Sequence, residues 1–201
     1  MARTTGSKGE VTELAILSSA RRLITEIGFD ALSIRTLAAE AGITSGALYR
    51  YFPSKSAILY CLLDRHLCDL LVAWDGEDPG EGVGAEPRLA AFIRFHLRYH
   101  IPRREDVFLS YRELRNLDAE QYAAICQLRD RYEAILASLI DNAIASGDVS
   151  ARDTKLATRA IISMLTGVTE WYRDDGPLDV EALQDHYLTL VLHGLHGPGP
   201  A

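Results

Sequence analysis

Residues Ser33 to Lys55 read SIRTLAAEAGITSGALYRYFPSK, and this stretch decides the fold. Ile34, Leu37, Ala38 and Ala41 recur at helical spacing, behind Ser33 as the cap of a short helix ending near Glu40. Gly42 permits a turn. Thr44 or Ser45 caps a second short helix to about Tyr51, and Ile43 and Leu48 lock it against the first. Two short helices joined by a glycine-containing turn form the helix-turn-helix pattern. Ser45, Gly46 and Ala47 open the second helix with little bulk. That lets its N-terminus approach base edges in a major groove about 12 Å wide. Phosphate partners lie nearby: Tyr49, Arg50, Tyr51 and Lys55, plus the hydroxyls of Ser33 and Thr44.

Outward from this stretch the chain reads as helical nearly throughout. Upstream, Ile16, Ala20, Leu23, Ile24 and Ile27 share a helical face, and Gly28 stops it. Downstream, Phe52-Pro53 ends the second short helix and Ser54 caps a longer one reaching Trp74. Residues 75–87, DGEDPGEGVGAEP, read as a flexible acidic linker without the GxGxxG spacing of a phosphate cradle. Further helices are predicted over 88–101, 103–116, 119–146, 153–173 and 179–195. Asp118 with Gln121 fits a capping box, Gly147 a C-terminal stop, and Ser150 and Asp153 offer a second start. The first nine residues and the tail after Leu195 are expected to fray. Alternating β-branched runs are absent, so a sheet has no source.

The fold class is therefore all-α. A three-helix helix-turn-helix DNA-binding domain is expected over 1–56, and a helical bundle over 57–201.

Charge points the same way. The whole chain of 201 residues carries −7, yet residues 1–56 carry +2 and the remainder −9. One end is suited to a polyanion and the other is not. No apolar run approaches the roughly 20 residues of a membrane span, and the N-terminus lacks a signal-peptide core. Cys61, Cys68 and Cys126 form no CxxC pair. A cytoplasmic protein with unbridged thiols is expected.

Residues 28–59, GFDALSIRTLAAEAGITSGALYRYFPSKSAIL, closely resemble the N-terminal domain of the tetracycline-repressor (TetR) family. The resemblance implies a homodimer that sets two recognition helices on double-stranded DNA at a palindromic operator. It places Arg35 where some members read a base from the first short helix. Ser45, Gly46 and Ala47 fall where bases are contacted, and Tyr49, Tyr51 and Lys55 where phosphates are gripped. Arg50 can reach either phosphate or guanine. Ser33 stands where Thr is more usual and keeps the hydroxyl. Arg21 and Arg22 read as a solvated face.

The C-terminal helices carry no catalytic constellation: GxSxG, HExxH and the kinase set are missing, so no enzyme and no cofactor is expected. His96 and His100 share a helix face, but two ligands without a third make a packed pair the better reading than a metal site. Cys61 and Cys68 read as buried residues rather than a redox switch. Aromatics are plentiful, and helix bundles host ligands between their helices. The candidate ligand-binding residues are Phe95, Tyr99, Phe108, Tyr111, Trp171 and Tyr172, with Arg112 and Arg115 as cationic anchors or partners of Glu113 if they point inward and solvated charges, the favoured reading, if outward. Taken one at a time, each aromatic reads better as ordinary core or dimer contact.

The segment VFLSYRELRNLDAEQYAAICQLRDRYEAILASLIDNAIASGDV and the later TGVTEWYRDDGPLD loosely resemble acyl-CoA-responsive members of the same family. That implies a small-molecule effector, apolar or an acyl-CoA thioester. Ile161, Ile162, Leu165 and Val168, then Leu183, Tyr187, Leu190, Val191 and Leu195, form apolar faces suited to an intersubunit four-helix bundle, to an internal core, or in part to both. The expected protein is a ligand-released homodimeric repressor. Its alternatives are a helical small-molecule-binding protein or enzyme that does not act through DNA, and a transcriptional activator.

Overall fold

A computed structural model describes residues 8–195. Regular structure among them is entirely helical. The helices are α1 Lys8–Ile27, α2 Ile34–Glu40, α3 Ser45–Leu48, α4 Lys55–Glu77 and α5 Ala85–His100. They continue with α6 Arg104–Arg112, α7 Ala119–Ala145, α8 Thr154–Trp171 and α9 Val180–Leu195. Short 3-10 turns cover Glu81–Val83, Ile101–Arg103 and Leu114–Asn116. The expected fraying falls on ends that lie largely outside the described residues, although Lys8 and Gly9 already belong to α1. No described helix is long and apolar enough to cross a membrane.

The chain forms two compact units. One comprises Met1–His66 with Glu105–Cys126, the other Leu67–Arg104 with Gln127–Ala201. In the first, Ile16, Ala20, Leu23 and Ile24 of α1 are buried, as the sequence predicts, and so are Leu37, Ala38 and Leu48 of the two short helices. Ile27 departs from that reading. It is 47% exposed, because it closes the last turn of α1, and Gly28, at φ +82°, turns the chain away. α1 packs on α2, and α2 on α3. Asp118 and Gln121 form the capping box of α7: Gln121 N–H donates to Asp118 Oδ1 at 2.8 Å, and Asp118 N–H to Gln121 Oε1 at 3.4 Å.

The helix predicted over 103–116 is broken. α6 stops at Arg112, and Leu114–Asn116 form a 3-10 turn. The break falls at Glu113, whose buried carboxylate accepts hydrogen bonds from Asn116 Nδ2 at 2.7 Å and Phe29 N–H at 3.4 Å.

In the second unit α5 packs against α8 and α9. Phe92 and Phe95 of α5 are buried against Trp74, with ring centroids 5.0 and 5.3 Å away. His96 and His100 are also buried, their rings stacked at 4.1 Å. His96 Nδ1 lies 3.1 Å from the Tyr132 hydroxyl and Nε2 3.1 Å from the Thr166 hydroxyl, so the ring ties α5 to α7 and α8. His100 Nδ1–H donates to the His96 carbonyl at 2.8 Å. The pair is packed core, and no group of three or more metal-ligating side chains occurs among the described residues.

Two expectations for this unit change. α4 runs past Trp74 to Glu77, and the acidic stretch after it is pinned: Asp78 accepts hydrogen bonds from the Gly80 amide and from Arg88. The apolar faces of α8 and α9 are also largely used within the subunit. Ile161, Ile162, Leu165, Val168, Leu183, Val191 and Leu195 are all buried, while Leu156 and Leu190 stay 67% and 58% exposed.

Candidate nucleic-acid interface

The reading head is built from two side-chain caps and one glycine. Ser33 Oγ accepts the Thr36 N–H at 3.0 Å and starts α2. Thr44 Oγ1 accepts the Ala47 N–H at 3.1 Å and starts α3. Each cap satisfies an amide that a helix start leaves unpaired. Between them Gly42 sits at φ +69°, a left-handed conformation that other residues adopt at a cost. The Ile43 N–H reaches back to the Ala38 carbonyl at 2.9 Å, which fixes the turn.

Burial then sorts the side chains. Leu48 is fully buried, which anchors the one inward side of α3. Gly46, Tyr49 and Arg50 are exposed, Ser45, Ala47 and Tyr51 half-buried. A Cβ added at Gly46 would meet nothing within 4 Å, so the face presented there is open. On α2, Arg35 and Thr36 are exposed. The Thr36 hydroxyl, which the sequence reading did not single out, lies 2.7 Å from Ser33 Oγ. Its place three residues after the cap was the available signal.

Arg21, Arg22 and Lys55 of this unit are engaged within the protein. Arg21 pairs with Asp106 and Arg22 with Glu26 and Glu40. Lys55, expected at a phosphate, directs its ammonium inward: Nζ donates to the Phe29 carbonyl at 2.7 Å and the Leu32 carbonyl at 3.0 Å. Burial pushes the Cys61 thiol above its usual range, which disfavours the reactive thiolate. The cysteines form no disulfide among the described residues.

The candidate ligand residues divide between the units. Phe95, Tyr99 and Tyr172 are buried in the second, with the Phe95 and Tyr99 rings 5.4 Å apart and Trp171 half exposed beside Tyr172. The Arg103 guanidinium lies 3.9 Å from the centre of the Tyr99 ring, and Arg104 lies 5.9 Å from that of Tyr172. Phe108, Tyr111, Arg112 and Arg115 belong to the first unit and are exposed. The second unit also holds a groove of about 730 Å³ whose lining includes Leu71, Trp74, Arg88, Arg131 and Ile135. None of the expected residues lines it. Arg131 follows no motif, so only its placement reveals it.

Comparison with known proteins agrees with this geometry. Residues 16–60 match the family of bacterial regulatory proteins of the tetR type, and residues 82–195 match the tetracyclin-repressor-like C-terminal domain. The chain is 28% identical to the transcriptional repressor KstR2 of Rhodococcus jostii, over 97% of this chain and 95% of that one. It is 27% identical to the fatty acid metabolism regulator protein of Bacillus subtilis, over 91% and 95%. The crystal structure of the TetR-family regulator PfmR from Thermus thermophilus superposes with a TM-score of 0.80 at 32% identity, covering 90% of this chain and 98% of that one. That of AibR in complex with isovaleryl coenzyme A and operator DNA gives 0.80 at 22% identity over 94% and 100%, a likeness of fold. With both its helix-turn-helix and its C-terminal helices matched, the chain belongs to the TetR family and is a DNA-binding transcriptional regulator rather than an enzyme.

Proposed function

We propose that the protein is a homodimeric repressor that binds a palindromic operator and leaves it when a small effector is bound. Residues 1–56 read DNA, and residues 57–201 serve effector binding and dimerisation. The carrying observation is the Thr44-capped start of α3, where Ser45, Gly46 and Ala47 present an open face flanked by exposed Tyr49 and Arg50. Ser45, Gly46 and Ala47 lie against base edges. Arg35 on α2 adds a base contact, and Arg50 reaches phosphate or guanine. Tyr49, Tyr51 and the Ser33 and Thr44 hydroxyls hold phosphates, which fix register without reading sequence. Such a repressor works in the cytoplasm.

The effector is a small apolar molecule or an acyl-CoA thioester. The similarity to AibR, solved with isovaleryl coenzyme A, and to a fatty acid metabolism regulator supports that class. Phe95, Tyr99 and Tyr172 offer apolar surface in the second unit, and Arg103 and Arg104 supply cations against two of those rings. Linkage requires that DNA weaken effector binding by the factor with which effector weakens DNA binding.

Fluorescence anisotropy with DNA from upstream of the protein's own gene tests both parts. Tight binding reversed by acyl-CoA, with free CoA inert, is the expected result. Binding untouched by an acyl-CoA panel removes the effector class and leaves the repressor. Failure to retard any DNA at low salt favours a helical ligand-binding protein instead.

A further inference from the structure

The loop from Gly28 to Leu32 joins α1 to α2 and sets where the reading head begins. Phe29 and Leu32 are buried, 7% and 2% exposed. Their backbone groups therefore need partners inside the protein. The Leu32 N–H finds the Phe29 carbonyl at 3.2 Å, and two charged side chains from distant parts of the chain supply the rest.

Lys55 takes the carbonyl side. Its ammonium donates to Phe29 O at 2.7 Å and Leu32 O at 3.0 Å, approaches Asp30 O at 3.4 Å, and lies 4.3 Å from the centre of the Phe29 ring. Glu113 takes the amide side. It is only 6% exposed, and its Oε1 faces the Phe29 N–H at 3.4 Å. Asn116 Nδ2 holds the other carboxylate oxygen at 2.7 Å. Glu113 falls within the sequence matched by the C-terminal family domain, yet it belongs to the same compact unit as the reading head.

An ammonium has three donors. Turning Lys55 away would cost the Leu32 carbonyl its ammonium partner and leave Phe29 O with the Leu32 N–H at 3.2 Å. We infer that Lys55 and Glu113 are positioning residues for DNA reading: together they grip the Phe29–Leu32 loop from both sides and so fix the start of α2. This rests on the DNA-reading function proposed above, but the grip itself can be measured without DNA.

Three variants of the full-length protein test it: Lys55→Met, Glu113→Ala and Glu113→Gln. Amide hydrogen exchange on the DNA-free protein reads the grip. Exchange at Phe29 and Leu32 rises at least tenfold in Lys55→Met and Glu113→Ala, while the buried amides of α1 stay protected. Glu113→Gln keeps an acceptor and stays near wild type. Unchanged loop exchange in Glu113→Ala overturns the inference whether or not the protein binds DNA.

Operator titrations across salt concentrations read the consequence. Lys55→Met loses at least tenfold in operator affinity. Glu113→Ala also loses affinity, although removing an acid should on charge alone strengthen binding to a polyanion. A gain in affinity there would exclude the positioning role.

Discussion

Arg88 grips Asp78 through two parallel hydrogen bonds, Nε to Oδ1 at 2.7 Å and Nη2 to Oδ2 at 2.6 Å. Both side chains are about four-fifths buried, with 20% and 18% of their surface exposed. The hydrogen bond from Arg88 holds the Asp78 carboxyl below its ordinary range, against the opposing effect of burial. A carboxyl lowered on folding stabilises the fold above its unfolded value, about 3.9, and that stability is lost as pH falls through the folded value. Asp78→Asn should therefore cost about 1.5–3 kcal/mol at neutral pH. Melting curves at pH 7 and pH 3 check it, because the gap between variant and wild type must narrow in acid. An equal gap at both pH values would show that the ion pair holds nothing.

Thr44→Ala removes the hydroxyl that starts a four-residue helix. A helix this short has no second turn to hold its first, so loss of the cap, about 1 kcal/mol, falls on the groups that meet DNA. Operator affinity should drop more than affinity for unrelated DNA, since geometry at base edges suffers most. Thr44→Ser should restore it. Equal losses on both DNAs, measured side by side at fixed salt, would reduce Thr44 to a phosphate contact.

Tyr49 and Arg35 separate the two kinds of contact. Tyr49 is 53% exposed, with a hydroxyl suited to phosphate. Tyr49→Phe should weaken operator and unrelated DNA by the same factor. Arg35→Ala should instead relax preference at one base pair, with a discrimination loss of about 1–3 kcal/mol there. A panel of single-base operator variants measures it. Uniform loss over the panel would return Arg35 to the phosphate class.

What the sequence disclosed and what it hid follow from the range of the interactions involved. Ser33, Gly42, Thr44 and Leu48 act on neighbours within a few residues, so spacing alone located both short helices and the turn. The Asp118–Gln121 box was legible for the same reason. Lys55 carries the family pattern, but its partners are carbonyls of the Phe29–Leu32 loop, which no local pattern reveals. Glu113 meets the Phe29 amide across 84 positions, and the helical periodicity of 103–116 gave no sign of the break at that residue. The effector residues were the least legible. Aromatics such as Phe95 and Tyr111 look alike in sequence, and only burial separates one from the other.

Dimerisation gives the last test. The buried residues of α8 and α9, Leu165 and Val191 among them, serve the subunit's own core and are not available to a partner. Leu190, 58% exposed on α9, and Leu156, 67% exposed on α8, remain outward. Each leucine covered at an interface contributes about 1.5–3 kcal/mol, and two-fold symmetry places every contact twice. Leu190→Asp should therefore convert the proposed dimer to a folded monomer of 22.2 kDa by light scattering, with helicity retained and operator binding lost. Val191→Asp, one residue on, should instead unfold the second unit, because a buried charge has no partner there. If Leu190→Asp keeps the mass of two chains, the subunits meet through another surface.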